Sequence, residues 1–245
     1  MKKILSALFI LAACVPAEAF HPLLTEDLCF LGRDGRQIEL GLDHSVEKSG
    51  PDRYATAASA ELSYGLFDRF DVLVTVPWQG WSSHGISESG LGDVLVEAKF
   101  PVPGKGAGAF AVKSGFSLPA GDEADSLGAG KGGVWAYAIA GRTDGPRQYY
   151  FNAGYMFRNN SLGEQKHILR ASAAGALEAL PKTIVSAELS LETAAAKDSL
   201  SHPAYSLLGL TWTPYPTLDL SAGLRLGLTR AAADVSFLGG LTLRI

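Results

Sequence analysis

The sequence has little cysteine, and no apolar run in it is long enough to form a membrane-spanning helix. Its 245 residues include two cysteines, Cys14 and Cys29. The longest apolar stretch, residues 4–15, falls short of the roughly 20 residues that a spanning helix requires. We therefore expect no helical membrane anchor in the mature chain.

An excess of basic residues is also absent. Lys and Arg number 21 against 25 Asp and Glu, which gives a formal net charge of -4. Proteins that bind nucleic acid usually carry a basic surface. The composition therefore predicts no nucleic-acid partner.

The first 19 residues have the pattern of a secretory signal peptide. Two lysines precede the apolar run, and Ala17-Glu18-Ala19 is a small-x-small cleavage site. We predict cleavage after Ala19, which would leave Cys29 alone and exclude an intramolecular disulfide. In an alternative interpretation, residues 11–14 form a lipoprotein signal, and a lipidated Cys14 becomes the N-terminus.

Period-two alternation of apolar and polar residues replaces helical periodicity from residue 36 onwards. In residues 218–228 every second residue is Leu or Ala, and the residues between them are polar, charged or Gly. Residues 183–192 and 235–245 follow the same pattern. Such runs predict strands of about ten residues with one apolar face.

The breaks between these runs alternate between short turns and longer polar loops. Five short turns and six loops join twelve strands. The turns are predicted at 67–69, 101–106, 144–147, 180–182 and 214–216, and the loops at about 48–52, 82–89, 119–131, 159–166, 195–203 and 229–234.

Three features indicate that the apolar faces point outwards into lipid. About eight strands already close around an interior that side chains just fill, so twelve strands with an apolar interior would enclose a void. The other face is rich in Gly, Ala and Ser, unlike a water-exposed surface. An even strand number and alternating turns and loops are typical of bacterial outer-membrane barrels.

The predicted fold is thus all-β, a closed antiparallel up-and-down transmembrane β-barrel of about 12 strands formed by residues 36–245. Residues 1–19 are the signal peptide, and residues 20–35 form an N-terminal segment that is periplasmic or faces the lumen. The predicted location is the outer membrane of a Gram-negative bacterium, with the lipid bilayer as a partner.

Charged residues on the non-apolar faces are the candidate functional residues. They either pair with one another, as buried charges must, or shape a constriction that selects by charge. The basic members on strands five to eight would face acidic members on either side and create a transverse field. The lumen-lining candidates are Glu61, Asp93, Glu97, Lys99, Lys113, Arg142, Arg158, Arg170, Glu188, Glu192 and Arg225.

Motifs for catalysis, cofactors or metals are weak. The glycines of residues 90–93 precede a strand rather than the helix that a phosphate-binding loop needs, and residues 127–133 lack the Ser or Thr of a P-loop and predict a flexible outer loop. No two of the five histidines lie within four residues of one another. We therefore predict no catalytic residue, cofactor or metal; a lipid hydrolase using His167 near Glu164 is the enzyme alternative.

Four short stretches occur in an order that resembles a known family. They are residues 20–23 (FHPL) with 25–27 (TED), 64–71 (YGLFDRFD) with 76–78 (VPW), 89–100 (SGLGDVLVEAKF), and 117–122 (SLPAGD). Through them most of the mature chain resembles the outer-membrane family named for the MetA pathway of phenol degradation. The resemblance implies a β-barrel that transports aromatic or other hydrophobic compounds.

The expected function is an outer-membrane channel or transporter for the passive passage of small solutes, plausibly aromatic or hydrophobic ones. The expected partner in solution is this small-molecule solute. The alternative is a structural or binding barrel whose interior is occluded by its own side chains and by the segment before residue 36, because twelve strands lie between the filled and the water-filled sizes.

Overall fold

The computed structural model describes residues 21–47, 53–103 and 109–245, which form thirteen β-strands. The predicted signal peptide, the predicted loop at 48–52 and part of the predicted turn at 101–106 lie outside these residues. The strands are β1 Arg36–Glu47, β2 Arg53–Phe67, β3 Phe70–Ser83, β4 Ile86–Leu91, β5 Val94–Val102, β6 Ala109–Leu118, β7 Val134–Asp144, β8 Arg147–Phe157, β9 His167–Leu180, β10 Thr183–Glu192, β11 Ala204–Tyr215, β12 Leu218–Gly227 and β13 Val235–Arg244.

The sheet is antiparallel throughout and closes on itself. Strand β1 pairs with both β2 and β13, and β2 also pairs with β3. The short strands β4 and β5 follow one another along the same side of β3 and together form one strand of the wall. The thirteen segments therefore make a closed barrel of twelve strands, and the predicted fold class is confirmed.

A β-bulge separates β4 from β5. Trp78 pairs with Leu91 and Thr75 with Leu95, so two residues of β3 lie opposite three of the neighbouring strand. Pro77 lies at this point. It has no backbone N–H to donate to the neighbouring strand, and its carbonyl accepts a 2.9 Å hydrogen bond from the N–H of Gly92. The bulge brings the residues around Gly92 to the inner side.

The prediction of a loop at residues 82–89 is wrong. Strands β3 and β4 run on to a turn of two residues, His84 and Gly85, with φ of 54° and 80°. Positive φ at both central residues is typical of the tight turns that join two antiparallel strands. The Ser-rich and Glu-containing sequence here resembles a loop because the end of this hairpin has no apolar face to display.

The two faces of each strand differ in chemistry. Along β12, Leu220 and Leu224 are exposed on the outside, whereas Asp219 and Arg225 are buried inside. An apolar outer face fits the hydrocarbon of a bilayer. Other large apolar side chains exposed on the outside include Leu40, Leu42, Leu62, Val74, Phe151, Leu169, Leu189, Leu208 and Phe237.

The predicted short turns lie at one end of the barrel, and the longer loops lie at the other end together with the turn at His84 and Gly85. At the short-turn end the last residue meets the first strand, since the N–H of Ile245 donates a 2.9 Å hydrogen bond to the carbonyl of Arg36. We refer to this end as the inner end and to the loop end as the outer end. Among the described residues, no helix is long and apolar enough to cross a membrane.

A charge on the outer face near mid-strand should destabilise the barrel in lipid. We expect Leu210→Arg to lower the free energy of unfolding by about 2–4 kcal/mol, because an arginine near the bilayer midplane has lost its water. The matched control is Leu200→Arg in the fully exposed outer loop, which should have little effect. Urea unfolding from phospholipid vesicles measures both, and equal losses would contradict the assignment of the outer face to lipid.

Candidate functional site in the barrel lumen

Residues 21–35, which we call the plug, enter the barrel before β1 and occupy its interior. Polar contacts join the plug to wall strands around the whole circumference, including β2, β3, β5, β6, β9, β10, β11 and β12. A segment without regular secondary structure can be buried in this way only if its backbone polar groups find partners. The inward side chains of the wall supply several of them.

The plug begins in a hollow made by small residues. Gly209 of β11 and Gly223 of β12 are register partners, and the ring of Pro22 lies over them. A Cβ at either glycine would come within 2.9 Å of Pro22 Cγ. The small residues on the inner face of the wall thus leave the space that the plug fills.

His21 holds the start of the plug by hydrogen bonds. Its Nδ1 lies 2.9 Å from the hydroxyl of Ser221, and its carbonyl accepts a 3.2 Å hydrogen bond from the hydroxyl of Thr211. Burial lowers the pKa of the His21 imidazole, although the carboxylate of Asp43 opposes this. The ring is therefore mainly neutral at neutral pH and suited to a hydrogen bond with a hydroxyl.

Strands β9 and β10 bind the middle of the plug. One carboxylate oxygen of Glu188 accepts hydrogen bonds of 2.8 Å from the backbone N–H groups of both Leu24 and Thr25. The Thr25 hydroxyl lies 2.8 Å from that of Ser172. A single inward carboxylate thus satisfies two buried backbone donors.

A buried ion pair joins the plug to β5. The Lys99 ammonium lies 2.5 Å from a carboxylate oxygen of Asp27, and the two side chains are 8% and 9% exposed. Lys99 Nζ also stands 5.7 Å from the centre of the Phe30 ring. Removing either partner would leave a buried charge uncompensated, which makes this pair a strong constraint on the position of the plug.

A second, partly buried ion pair joins the plug to β6. Lys113 Nζ lies 2.7 Å from Glu26 and 3.2 Å from Glu97, and Glu97 in turn accepts a 2.9 Å hydrogen bond from the indole of Trp135. Burial alone would raise the pKa of the Glu26 carboxyl, but the ammonium groups of Lys113 and Lys99 outweigh it and hold the pKa below its ordinary value. Glu26 is therefore ionised at neutral pH.

The inner end of the plug is tied to β2 and β3. The backbone N–H of Leu31 donates a 3.1 Å hydrogen bond to Asp71, and the N–H of Asp34 donates a 2.8 Å bond to the carbonyl of Gly65. No side chain would fit at Gly65, because a Cβ there would collide with the carbonyl of Gly32. The plug thus crosses the lumen from β11 and β12 to β2 before β1 begins.

Above the plug lies an outer cavity of about 750 Å³. Glu61, Glu97, Lys113 and the plug residue Glu26 border it. The rest of its lining is divided about equally between polar or charged side chains and apolar or aromatic ones. The polar or charged ones include Asp93, Arg158, Glu164 and Arg170, and the apolar or aromatic ones include Pro77, Leu95, Leu127, Trp135, Tyr137, Met156 and Leu162.

The predicted flexible loop at residues 127–133 is anchored and forms part of the wall of this cavity. The two carboxylate oxygens of Asp93 accept hydrogen bonds of 3.1 Å and 2.9 Å from the N–H groups of Gly121 and Ala129. Leu127 is only 4% exposed. The indole of Trp81 donates a further 2.8 Å bond to the carbonyl of Asp125.

Beside the plug lies a smaller inner cavity of about 150 Å³, against β1, β2, β3 and β5. Three residues border both cavities, namely Glu26, Glu61 and Lys113. These three side chains therefore lie at the boundary between the outer cavity and the inner one. A solute that used both cavities would pass the Glu26–Lys113 ion pair.

Ten of the eleven candidate residues lie on the inner side of the wall. Five of them are basic, and each is paired with a carboxylate: Lys99 and Lys113 with the plug, Arg158 with Glu164, Arg170 with Glu192, and Arg225 with Asp43. The remaining acidic candidates contact the plug, an outer loop or hydroxyl groups of the wall, as Glu188, Asp93 and Glu61 do. Whether these charges select solutes stays a prediction.

Arg142 is the exception. It is exposed, and the neighbouring Gly141 is the residue that faces inwards, towards Leu28 of the plug. Successive side chains of a strand point to opposite faces, so Arg142 lies on the outer face near the inner end of β7. Its assignment to the lumen is wrong. The small residues Ala140 and Gly141 differ too little in polarity to show which residues of this strand face inwards.

Sequence reasoning identified Lys99, Lys113 and Glu188 on the wall but missed other residues that hold the plug. Glu26 and Asp27 stand in a segment without periodicity, and Asp71 directly follows a turn, so none of them belongs to a clear alternating run. Glu39 does lie on the polar face of β1, where alternation could have identified it. The signal for the plug itself was the combination of two acidic residues with two inward lysines on β5 and β6.

The residues considered for catalysis are engaged elsewhere. His167 Nδ1 lies 2.7 Å from the hydroxyl of Tyr155, and Glu164 pairs with Arg158 at 3.0 Å. Within the described residues, no group of three or more His, Cys, Asp or Glu side chains could hold a metal ion by itself.

Comparison with known proteins identifies the fold but not a family. No protein-family model matches the chain, and no curated protein matches its sequence. An outer membrane channel from Pseudomonas putida F1 superposes with a TM-score of 0.74 at 15% identity, covering 89% of this chain and 98% of that one.

Two porins are also similar in fold. The NanC porin has a TM-score of 0.59 at 10% identity, covering 86% of this chain and 100% of its own. The KdgM porin, solved in complex with disordered oligogalacturonate, has a TM-score of 0.55 at 7% identity, covering 84% and 98%. At such identities the likeness establishes a common barrel fold.

Breaking the ion pair between plug and β5 should loosen the plug. We expect Asp27→Asn and Lys99→Met each to lower the free energy of unfolding by about 3–5 kcal/mol, because each leaves a buried charge alone, whereas the double variant loses less than their sum. A double-mutant cycle in urea measures this coupling. The rate of maleimide labelling at Cys29 in the folded protein should rise in the single variants.

The control for this cycle is Arg158→Gln, which breaks a partly exposed ion pair in the outer loop. It should cost less than about 1 kcal/mol and leave the labelling of Cys29 unchanged. If the losses in the free energy of unfolding are strictly additive and the labelling of Cys29 is unchanged, the ion pair between Asp27 and Lys99 does not hold the plug in place.

Proposed function

We propose that this protein is an outer-membrane channel that admits small apolar or aromatic solutes through its outer cavity and past a movable plug. The observation that carries the proposal is the outer cavity of about 750 Å³ above the plug. This volume lies in the range of sites that bind small molecules.

The wall chemistry supports an apolar or aromatic solute. Trp135, Tyr137 and Met156 offer aromatic and polarisable surface, and Leu95 and Leu127 add aliphatic surface. The ion pairs of the lumen leave few unpaired cations that would hold a small anion. A hydrophobic guest is therefore favoured over an acidic sugar such as the oligogalacturonate of the KdgM complex.

The location and family of the protein are part of this proposal. A closed barrel with an apolar outer face and an export signal fits the outer membrane of a Gram-negative bacterium. The order of the four sequence stretches, together with the fold shared with an outer membrane channel, supports membership of the family named for the MetA pathway of phenol degradation.

The plug also favours a second candidate function, a closed barrel that binds a ligand without passing it on. Polar contacts on eight wall strands, together with one buried and one partly buried ion pair, hold the plug in the lumen. The two functions differ in whether the plug moves. An experiment that fixes the plug reversibly therefore separates them.

A disulfide between the plug and β9 can fix the plug. The hydroxyl oxygens of Thr25 and Ser172 are 2.8 Å apart, so cysteines at both positions, in a Cys29→Ser background, lie within reach of a disulfide. We expect the reduced form to admit N-phenylnaphthylamine, an aromatic fluorescent probe, into Gram-negative cells several-fold faster than the oxidised form. Fluorescence of the membrane-bound probe measures the influx.

Two variants control this measurement. Ser172→Cys alone, treated with the same oxidant, should behave like the reduced pair. Met156→Glu should lower influx by replacing apolar surface of the outer cavity with an unpaired charge, whereas Leu200→Glu in an exposed loop should not. Influx at the empty-vector level in every form would overturn the channel and favour the closed binding barrel.

The charges of the lumen should set the ion preference of any residual pathway. We expect Arg170→Glu and Lys113→Glu to raise the preference for cations, because each replaces a positive charge at the wall of the outer cavity by a negative one. Reversal potentials in planar bilayers under a potassium chloride gradient measure the shift. Arg142→Glu on the outer face is the matched control, and equal reversal potentials in all three variants would contradict the prediction.

A further inference from the structure

The inner cavity contains more carboxylates than it has cationic side chains to balance. Both lysines at the cavity already pair with acidic residues of the plug. Among the described residues, the other three carboxylates have no ion-pair partner. The charged lining residues are Glu26, Asp27, Glu39, Glu61, Asp71, Lys99 and Lys113.

Two buried oxygen atoms at this cavity lack a hydrogen-bond donor in the described protein. They are Oε1 of Gln37, a residue that is 7% exposed, and Oδ1 of Asp71, which is 4% exposed. The other polar atom of each side chain is engaged: the Gln37 amide nitrogen donates to Glu39, and Asp71 Oδ2 accepts from Leu31. An unsatisfied buried acceptor destabilises the folded protein, so both oxygens favour a bound group that accepts their lone pairs.

The strand register concentrates negative charge beside these oxygens. Glu39 of β1 and Glu61 of β2 are direct register partners, and Gln37 is the partner of Ser63 one step along the same face. Like charges directly opposite one another destabilise a sheet. Carboxylates that are crowded together and partly removed from water are tolerated when a cation lies among them.

We propose that the inner cavity binds one hard divalent cation, Ca²⁺ or Mg²⁺, through Gln37 Oε1 and Asp71 Oδ1 in the field of Glu39 and Glu61. All of these ligands are oxygen atoms, which such ions prefer. A cavity of about 150 Å³ is larger than a bare ion, so water molecules complete the coordination shell. Among the described residues, no three His, Cys, Asp or Glu side chains are grouped to hold an ion, so the proposed site requires the amide oxygen of Gln37 and water as ligands beside Asp71.

The proposed site lies where the plug meets the wall. Asp71 binds the backbone of Leu31 with one carboxylate oxygen and would bind the cation with the other. The ion would therefore fasten the inner end of the plug to β1 and β3. Cation binding is measured on the purified barrel and does not depend on transport.

Calorimetric titration of Ca²⁺ into the full mature chain tests the proposal. The protein is refolded from urea into detergent free of lipopolysaccharide and stripped with EDTA before titration in potassium chloride. We expect one saturable site for which Mg²⁺ competes. Asp71→Asn and Glu61→Gln should weaken binding by roughly ten- to hundredfold.

Two further variants separate a built site from general attraction by negative charge. Gln37→Met removes the amide oxygen without changing the charge and should also weaken binding, whereas Glu178→Gln removes an exposed carboxylate near the inner end of β9 and should not. Gel mobility of unboiled samples verifies that each variant is folded. If Glu61→Gln does not fold, Gln37→Met decides; wild-type affinity in Gln37→Met, or no saturable binding by the wild type, would overturn the proposal.

Discussion

The structure depends on the requirement that every backbone N–H and C=O group find its partner inside the protein, because lipid offers none. Register pairing of β1 with β13 and of β2 with β3 leaves the wall without an open edge at the depth of the bilayer. Closure in turn fixes which residues face inwards, since the side-chain period of a strand is two. The lumen chemistry is therefore a consequence of the backbone constraint.

Twelve strands close around more space than the inward side chains of this chain can fill, because so many of them are Gly, Ala and Ser. The plug occupies part of that space and brings its own polar backbone into the interior. The plug backbone needs hydrogen-bond partners, and one carboxylate of Glu188 accepts bonds from two of its N–H groups. Lys99 and Lys113 balance the charges of the two acidic residues of the plug. The result is a lumen divided into an outer and an inner cavity rather than an open pore.

Sequence predicts the barrel well where lipid enforces alternation and poorly where it does not. Residues 218–228 alternate without exception because Leu and Ala face lipid and Asp219 and Arg225 face the interior. The hairpin around His84 and Gly85 extends past the apolar band, so its strands carry no such pattern and resemble a loop. The prediction for Arg142 is wrong for a related reason, since Ala140 and Gly141 do not distinguish one face from the other.

The candidate site can be predicted only in part, because a one-dimensional pattern identifies charges but not their partners. The sequence identifies the inward lysines on β5 and β6. Because it does not show where the plug lies, these lysines appear unpaired in sequence and suggest a transverse electric field across the lumen. Once Asp27 and Glu26 neutralise these lysines, the uncompensated charge of the lumen moves to Glu39, Glu61 and Asp71 on β1 to β3. The electrostatic asymmetry of this barrel is therefore set by where the plug inserts its two acidic residues, and movement of the plug would change the charge of the lumen as well as its width.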